Sequence, residues 1–579
     1  MQNLELSFNQ LIKAGKQGDA ARPKVRIAIL AEFASQHLVK ALKAAGAMNN
    51  LEFDIWEADY DAIDAAVLNE SSALYEQPYD YIVLYCSVLK LYKQFSHSPR
   101  EGFGTQKLDY INNLVSTLQS RTKSRIIVSN YPLYDDAVFG NYANKTSHSF
   151  LYQLRTLNVG LMDLAAATKN VFIVDAEVLA GWKGRKETLD PKLYIHADII
   201  YTLDFLGLLA QGTASIIATA QGSFKKCVIL DLDNTTWGGI IGDDGIENIQ
   251  IGDLGLGKAF TMLQLWVKNL KDRGIIVAVS SKNTEEIAKE VFLSHPQMVL
   301  RMDDIAVFAV NWETKVDNIR FIQSVLNIGF DSMVFLDDNP FERAIVRENI
   351  EGITVPELPE DPAEYLSYLQ SLNLFETTSF TEEDAQRTKQ YQEEAGRTML
   401  QKSFTSEAEF LDSLSMVADV KEVDRFSLPR VAQLTQRSNQ FNLRTVRYTE
   451  EDVKKLMADP DKFVITVSLK DKFGDYGLIS CVFLEKQKDE LFINNWIMSC
   501  RVLKRGVENL VLNEVMAVAK EKGLKMVVGE YLPTAKNALV KDHYKNLGFE
   551  EKAGKWFIDP ASYQSKHTNI KKRNSYAVK

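Results

Sequence analysis

Cysteine is scarce in this chain: Cys86, Cys227, Cys481 and Cys500 are four residues in 579, at no metal-binding spacing. That excludes a disulfide framework and fits small core residues in a reducing compartment. Long apolar runs are missing too, and none reaches the roughly 18 residues that suggest a membrane span. The opening MQNLELSFNQLIKAGKQGDA lacks the basic-then-apolar order of a secretory signal, so a cytoplasmic location and no membrane partner are expected. Nor is positive charge in excess. The net charge of −10 is spread along the chain, which argues against nucleic acid as the main partner. What is present is ordinary for a globular protein, 46% hydrophobic and 25% charged, in a length that suits three or four domains.

Residues 24–210 alternate apolar runs (VRIAIL, YDYIVLYCSV, SRIIVSNYPL, NVFIVDAE) with helical stretches, the rhythm of a parallel α/β sheet. A second such unit starts at Cys227 with CVILDLD, GIIVAVSS, IAVFAVN and SMVFLDD, and closes at the proline-rich VPELPEDPAEY. From about residue 404, antiparallel-looking strands mix with helices in an α+β pattern. The expected division is an α/β domain over 1–220, a central α/β domain over 221–375 and a polar bridging helix over 376–403. An α+β domain over 404–565 and a solvated tail over 566–579 complete it.

The central domain carries the chemistry. VILDLDNTTWGGIIGDDG (228–245) runs an apolar strand into Asp231 and Asp233, which share a face because alternate strand residues do. Two carboxylates this close raise each other's pKa unless something positive lies between them. Ser280 and Ser281 follow a second strand in AVSSKN, Lys315 a third in NWETKVDNI, and Asp337 and Asp338 a fourth in MVFLDDNPFE. Ligands of open α/β sheets bind beyond the carboxyl ends of the strands, so these groups converge on one rim. A hard divalent cation such as Mg²⁺ would relieve the repulsion between Asp231 and Asp337 and polarise a phosphoryl group. Asp231 is then placed to attack phosphorus, and Asp233 to protonate the leaving oxygen and later activate water. A serine hydroxyl and Lys315 would bind the phosphoryl oxygens. Asp is common in turns, and one DxD would mean no more than that; four motifs in order mean more. The glycines of WGGIIGDDG suit a turn beside the site or a plain hairpin. The gaps between motifs leave no room for a cap domain, so the site is expected to be open to a large substrate such as a carrier protein.

DxDxT after an apolar strand, then Ser, Lys and DD at strand ends, resembles the four-motif pattern of the haloacid dehalogenase (HAD) superfamily of phosphotransferases. LDLDNTTWGGIIGDDG, NWETKVDNI and FLDDNPFERAIV resemble its FkbH-like branch more closely, strongly over about 225–375 and loosely over the whole layout. The resemblance implies a Rossmann-like parallel sheet without a large cap, Asp231 as nucleophile and Asp233 as acid/base. It also implies Asp231, Asp337 and Asp338 around Mg²⁺, with Asp233 lending its backbone carbonyl. Lys315, Thr235 and Ser281, with Ser280 as the adjacent alternative, are implied at the phosphate. Some FkbH-like proteins load a glyceryl group from 1,3-bisphosphoglycerate onto an acyl carrier protein through a Cys that precedes the second-motif serine. Here that position is Ser280, which removes the thiol and leaves the phosphoryl chemistry intact.

In the last domain, INNWIMSCRVLKRGVENLVLNEVMAVAKEKG runs a strand through a basic loop into a helix. Its amides, with Arg501, Lys504, Arg505 and Gly506, would form an anion site for a pyrophosphate. NALVKDHYKNLGFEE resembles the closing helix and strand of GCN5-related N-acetyltransferases (GNAT), which implies Tyr544 as general acid and acyl-CoA as cofactor. That family's loop is Q/R-x-x-G-x-G/A, and Leu503 and Glu508 stand at its first and last places. A carrier-borne phosphopantetheine arm, or mere packing, is therefore the alternative to acyl-CoA. The first domain faintly resembles SGNH-type hydrolases, with Ser35 and His196 as candidate nucleophile and base but no GDS motif; fold alone does not imply function. The expected function is an Mg²⁺-dependent HAD enzyme acting on a small phosphorylated acid or sugar, passing its product to a carrier or to its own transferase domain. The alternatives are a phosphatase fused to an N-acyltransferase of surface-polysaccharide biosynthesis, and a non-enzymatic scaffold with remnant sites.

Overall fold

The computed structural model describes residues 6–16, 22–380, 404, 406–534 and 536–574. The chain divides into two compact units, Met1–Ser223 with Ser371–Thr378, and Phe224–Gln370 with Ser379–Lys579. Residues 371–378, expected at the end of the central domain and the start of the bridging helix, thus group with the N-terminal unit. Residues 381–403 of the expected bridging helix lie outside the described residues.

In the N-terminal unit, β1 (Lys24–Ala31), β2 (Glu52–Glu57), β3 (Tyr81–Tyr85), β4 (Arg125–Ser129) and β5 (Val171–Val174) form a wholly parallel sheet ordered β2-β1-β3-β4-β5. Its strands are near-continuously apolar because helices cover both faces. Ile27, Ile29 and Val83 pack with helices Gln36–Met48 and Leu203–Ala220; Ala28, Leu30 and Ile82 pack with Phe103–Arg121 and Phe150–Ala167. Leu203–Ala220 is the one described helix long and apolar enough to cross a membrane, and most of it is buried in this core.

The second unit holds two sheets. Strands β6 (Cys227–Leu230), β7 (Ile276–Lys282), β8 (Ile305–Asn311) and β9 (Met333–Leu336) are parallel, in the order β8-β7-β6-β9. The other sheet joins β10 (Val417–Glu422), β11 (Lys462–Lys470), β12 (Asp475–Gln487), β13 (Glu490–Met498), β14 (Met526–Glu530), β15 (Glu550–Lys552), β16 (Lys555–Ile558) and β17 (Lys571–Asn574). Its order is β15-β16-β14-β13-β12-β11-β10-β17, antiparallel except at β13/β14 and β10/β17. β17 corrects the expected tail. Asn509 and Asn513 bond the carbonyls of His567 and Lys566, Ile570 is buried, and the chain then pairs with β10.

The two sheets meet away from the candidate rim. Asn327 Nδ2 donates to Cys500 O (2.6 Å), Lys226 Nζ to Arg437 O (3.1 Å), and Lys536 pairs with Asp331 (2.7 Å). Lys226 and Asp331 precede β6 and β9, so the C-terminal domain docks at the amino ends of these strands. The four cysteines are free, and three are buried.

Candidate active site

Asp231 is the first residue beyond β6, and its N–H still bonds Leu336 O of β9 (2.9 Å). Asp337 follows β9, Ser280 and Ser281 lie in the last turn of the pleat of β7, and Lys315 opens the helix Lys315–Leu326 after β8. Thr314 caps that helix by accepting from Asp317 N–H, which fixes where Lys315 leaves the backbone. The buried Lys315 Nζ donates to Ser280 O (2.9 Å) and pairs with Asp231 and with Asp337 Oδ2 (3.1 Å). One of its N–H groups thus has a hydrogen-bond acceptor, and the two carboxylates face the ammonium as ion-pair partners. Burial works against the ammonium, but the charges of Asp231 and Asp337 prevail and hold its pKa above the ordinary lysine value. Burial, then the Asp231 charge, pushes Asp337 up to about 6, restrained by Lys315 and by Asn339 N–H. Burial and Asp231 raise Asp338 likewise.

One oxygen each of Asp231, Asp337 and Asp338 lie within 4.8 Å of one another. Asp231 Oδ1 and Asp337 Oδ2 are buried and meet no donor in hydrogen-bonding geometry, only the charge of Lys315 beside them. A set of hard carboxylate oxygens, short of donors, fits Mg²⁺. The Asp233 carboxylate is not in this set. Its oxygens accept from Trp237 Nε1 (2.9 Å), Ile241 N–H (3.1 Å) and Asn283 Nδ2 (2.9 Å), while burial nevertheless raises its pKa. Thr235, implied at the phosphate, is fully buried and instead accepts from Asp338 N–H (3.0 Å), tying the first motif to the last. Ser280 Oγ is buried without a partner.

The glycine-rich stretch forms a turn beside the site rather than a plain hairpin. Gly238 and Gln250 exchange backbone bonds in an isolated antiparallel bridge, and Gly239, at φ +94°, turns the chain so that Trp237 and Ile241 reach Asp233. Three supporting residues escaped the sequence: Trp237, Asn283 and Arg343. Buried Arg343 donates to the carbonyls of Asp337 (2.8 Å) and Asp338 (2.6 Å) and to Glu357 (3.0 Å), clamping the acidic loop. Asn283, two residues past Ser281, carried a readable signal, because a polar side chain at a strand's carboxyl end faces the rim.

The flanking expectations need correction. The helix Val507–Glu521 begins after left-handed Lys504 (φ 61°) and Gly506 (φ 78°). Arg501 and Arg505 are turned inward and do not display their charge. Arg501 bonds Ser499 Oγ and Tyr476 O, and Arg505 bonds the Tyr476 hydroxyl (2.6 Å) beside buried Asp471. Tyr544 is buried against Gly529, its hydroxyl unpartnered. In the N-terminal unit, Ser35 Oγ donates to Glu57 (2.5 Å) rather than to His196, which sits exposed on helix Pro191–Ala197.

A four-stranded parallel sheet with a lysine between paired aspartates at its carboxyl rim defines a domain of the HAD superfamily. Residues 26–218 match the family model "FkbH, N-terminal domain". The chain is 48% identical to the N-terminal part of the protein BF1531 from Bacteroides fragilis, solved as containing a phosphatase domain complexed with Mg. That match covers 65% of this chain and 100% of that one, with a TM-score of 0.62. The chain belongs to the FkbH-like family. Weaker likenesses reach the ribosomal-protein-S18-alanine N-acetyltransferase from Escherichia coli (15% identity, 24% of this chain, 89% of that chain, TM-score 0.19). The GNAT domain of S. lividans PAT is similar at 18% identity over 24% of this chain and 89% of that chain, TM-score 0.19. At such scores neither supports an assignment. No curated protein matches the chain in sequence.

Proposed function

We infer that the chain is an Mg²⁺-dependent phosphatase that acts through a phosphorylated Asp231 on a small phosphorylated acid or sugar. The observation that carries this is Lys315 held between Asp231 and Asp337, with Asp338 beside them, on one sheet rim. Mg²⁺ bound by Asp231, Asp337 and Asp338 would supply the charge that balances the phosphoryl oxygens. Asp231 attacks phosphorus, forming an acyl phosphate as the bond to the leaving oxygen breaks. Asp233, whose pKa burial raises, gives that oxygen its proton and later takes one from the water that releases phosphate. Lys315 and Ser281, with Ser280 as the adjacent alternative, steady the transferring group. The C-terminal domain docks at the opposite end of the strands, and exposed Ile240 and Trp312 stand on two loops of the rim and Phe341 on the helix after β9, which suits approach by a larger partner such as an acyl carrier protein. Inward-turned Arg501 and Arg505, and Ser280 in place of a thiol, favour ending the reading at phosphoryl transfer. The test is phosphate release from p-nitrophenyl phosphate: it should require Mg²⁺ and disappear in Asp231→Asn, and full turnover by that variant would sink the nucleophile assignment.

A further inference from the structure

Lys282 ends β7 one residue beyond Ser281, and its Nζ donates to Glu342 Oε1 (2.5 Å) in the first turn of helix Pro340–Asn349, after β9. In the sheet, β6 lies between β7 and β9. The ion pair therefore crosses about two strand spacings, roughly 10 Å, over the carboxyl end of the strand that carries Asp231. Its two ends differ: the Lys282 side chain is 40% exposed, while that of Glu342 is 13% exposed. Glu342 thus holds the lysine in place from below. An ammonium has three donors, and Glu342 is the one protein acceptor of Lys282 among the described residues. The other cations at these strand ends are engaged inside the site, Lys315 with Ser280 O and the charges of Asp231 and Asp337, and Arg343 with the acidic loop and Glu357. Of the three, Lys282 keeps donors for a ligand.

We propose that Lys282, steadied by Glu342, is a specificity residue that binds a second anionic group, a carboxylate or further phosphate, on the phosphorylated substrate. The proposal rests on the phosphatase reading. The phosphoryl group lies over Asp231, and an anion a few bonds away on the same small molecule falls beneath the arm of Lys282. A neutral alcohol portion leaves those donors unused. The pair then selects among phosphomonoesters without touching phosphorus.

The experiment compares phosphoglycolate, which carries a carboxylate, with p-nitrophenyl phosphate, which does not. Lys282→Met should lower the ratio of their kcat/KM values about ten-fold or more, mainly through KM for phosphoglycolate, and Lys282→Arg should keep most of it. An unchanged ratio in Lys282→Met overturns the proposal, as does an equal loss on both substrates. If the wild-type protein with Mg²⁺ releases no phosphate from either compound, the phosphatase reading fails on its own. Calorimetric titration with phosphoglycolate and methyl phosphate then decides about Lys282. A preference for phosphoglycolate that disappears in Lys282→Met supports the site, and a preference that is absent or survives the substitution overturns it.

Discussion

Asp231 and Asp233 lie two residues apart, yet the chain treats them differently. Asp231 faces Lys315 and the other two aspartates, whereas Asp233 is gripped by Trp237, Ile241 and Asn283. Only the second is placed to serve as a proton carrier beside the first. Asp233→Asn should therefore slow phosphate release from an alkyl phosphate about 100-fold, and from p-nitrophenyl phosphate, whose leaving group needs little protonation, far less. Equal losses, measured as kcat on both, would make Asp233 a structural residue. The residues that meet at this rim were legible because each sits at a strand end within a spaced motif. Arg501 and Arg505 were misread because their direction is set by Tyr476 and Asp471, some thirty residues away, which no local pattern reveals.

At the scale of elements, the acidic loop after β9 is held from behind by Arg343, whose guanidinium takes two consecutive carbonyls. Removing such a support shifts the carboxylates in front of it. Arg343→Met should weaken Mg²⁺ binding about ten-fold by calorimetric titration, in line with other residues that orient metal ligands; unchanged affinity would mean that the loop holds its shape unaided. In the C-terminal sheet, His543 is buried edge-on to Trp496 and Phe441, its Nε2 unpartnered, and burial lowers its pKa from 6.5 to about 3. The unfolded chain therefore binds a proton that the folded chain refuses between these values. The stability this supplies is complete above pH 6.5 and is lost as the pH falls toward 3, by about 2 kcal/mol at about pH 5. His543→Phe should flatten that decline in urea midpoints, and an identical pH slope would contradict it. The strands and their order of use were readable from apolar runs. β17 was not, because Ile570 is a lone apolar residue in a polar segment and its partner β10 is distant in sequence.

For the molecule as a whole, the sequence showed three folded regions but not that the central and C-terminal ones form one unit, since Asn327, Lys226 and Asp331 make that junction with ordinary polar side chains. The junction lies at the amino ends of β6 and β9, and the candidate site at their carboxyl ends. The C-terminal domain thus packs behind the sheet that carries the candidate site. Everything proposed for the rim depends on a covalent phosphoryl group on Asp231, and the most direct measurement is to catch it. The protein with Mg²⁺ is mixed with a radiolabelled phosphomonoester, quenched in acid within one turnover and mapped by peptide. The label should sit on the peptide containing Asp231 and be missing from Asp231→Asn. Rapid phosphate release with no label on the chain, or label on another residue, would contradict the account.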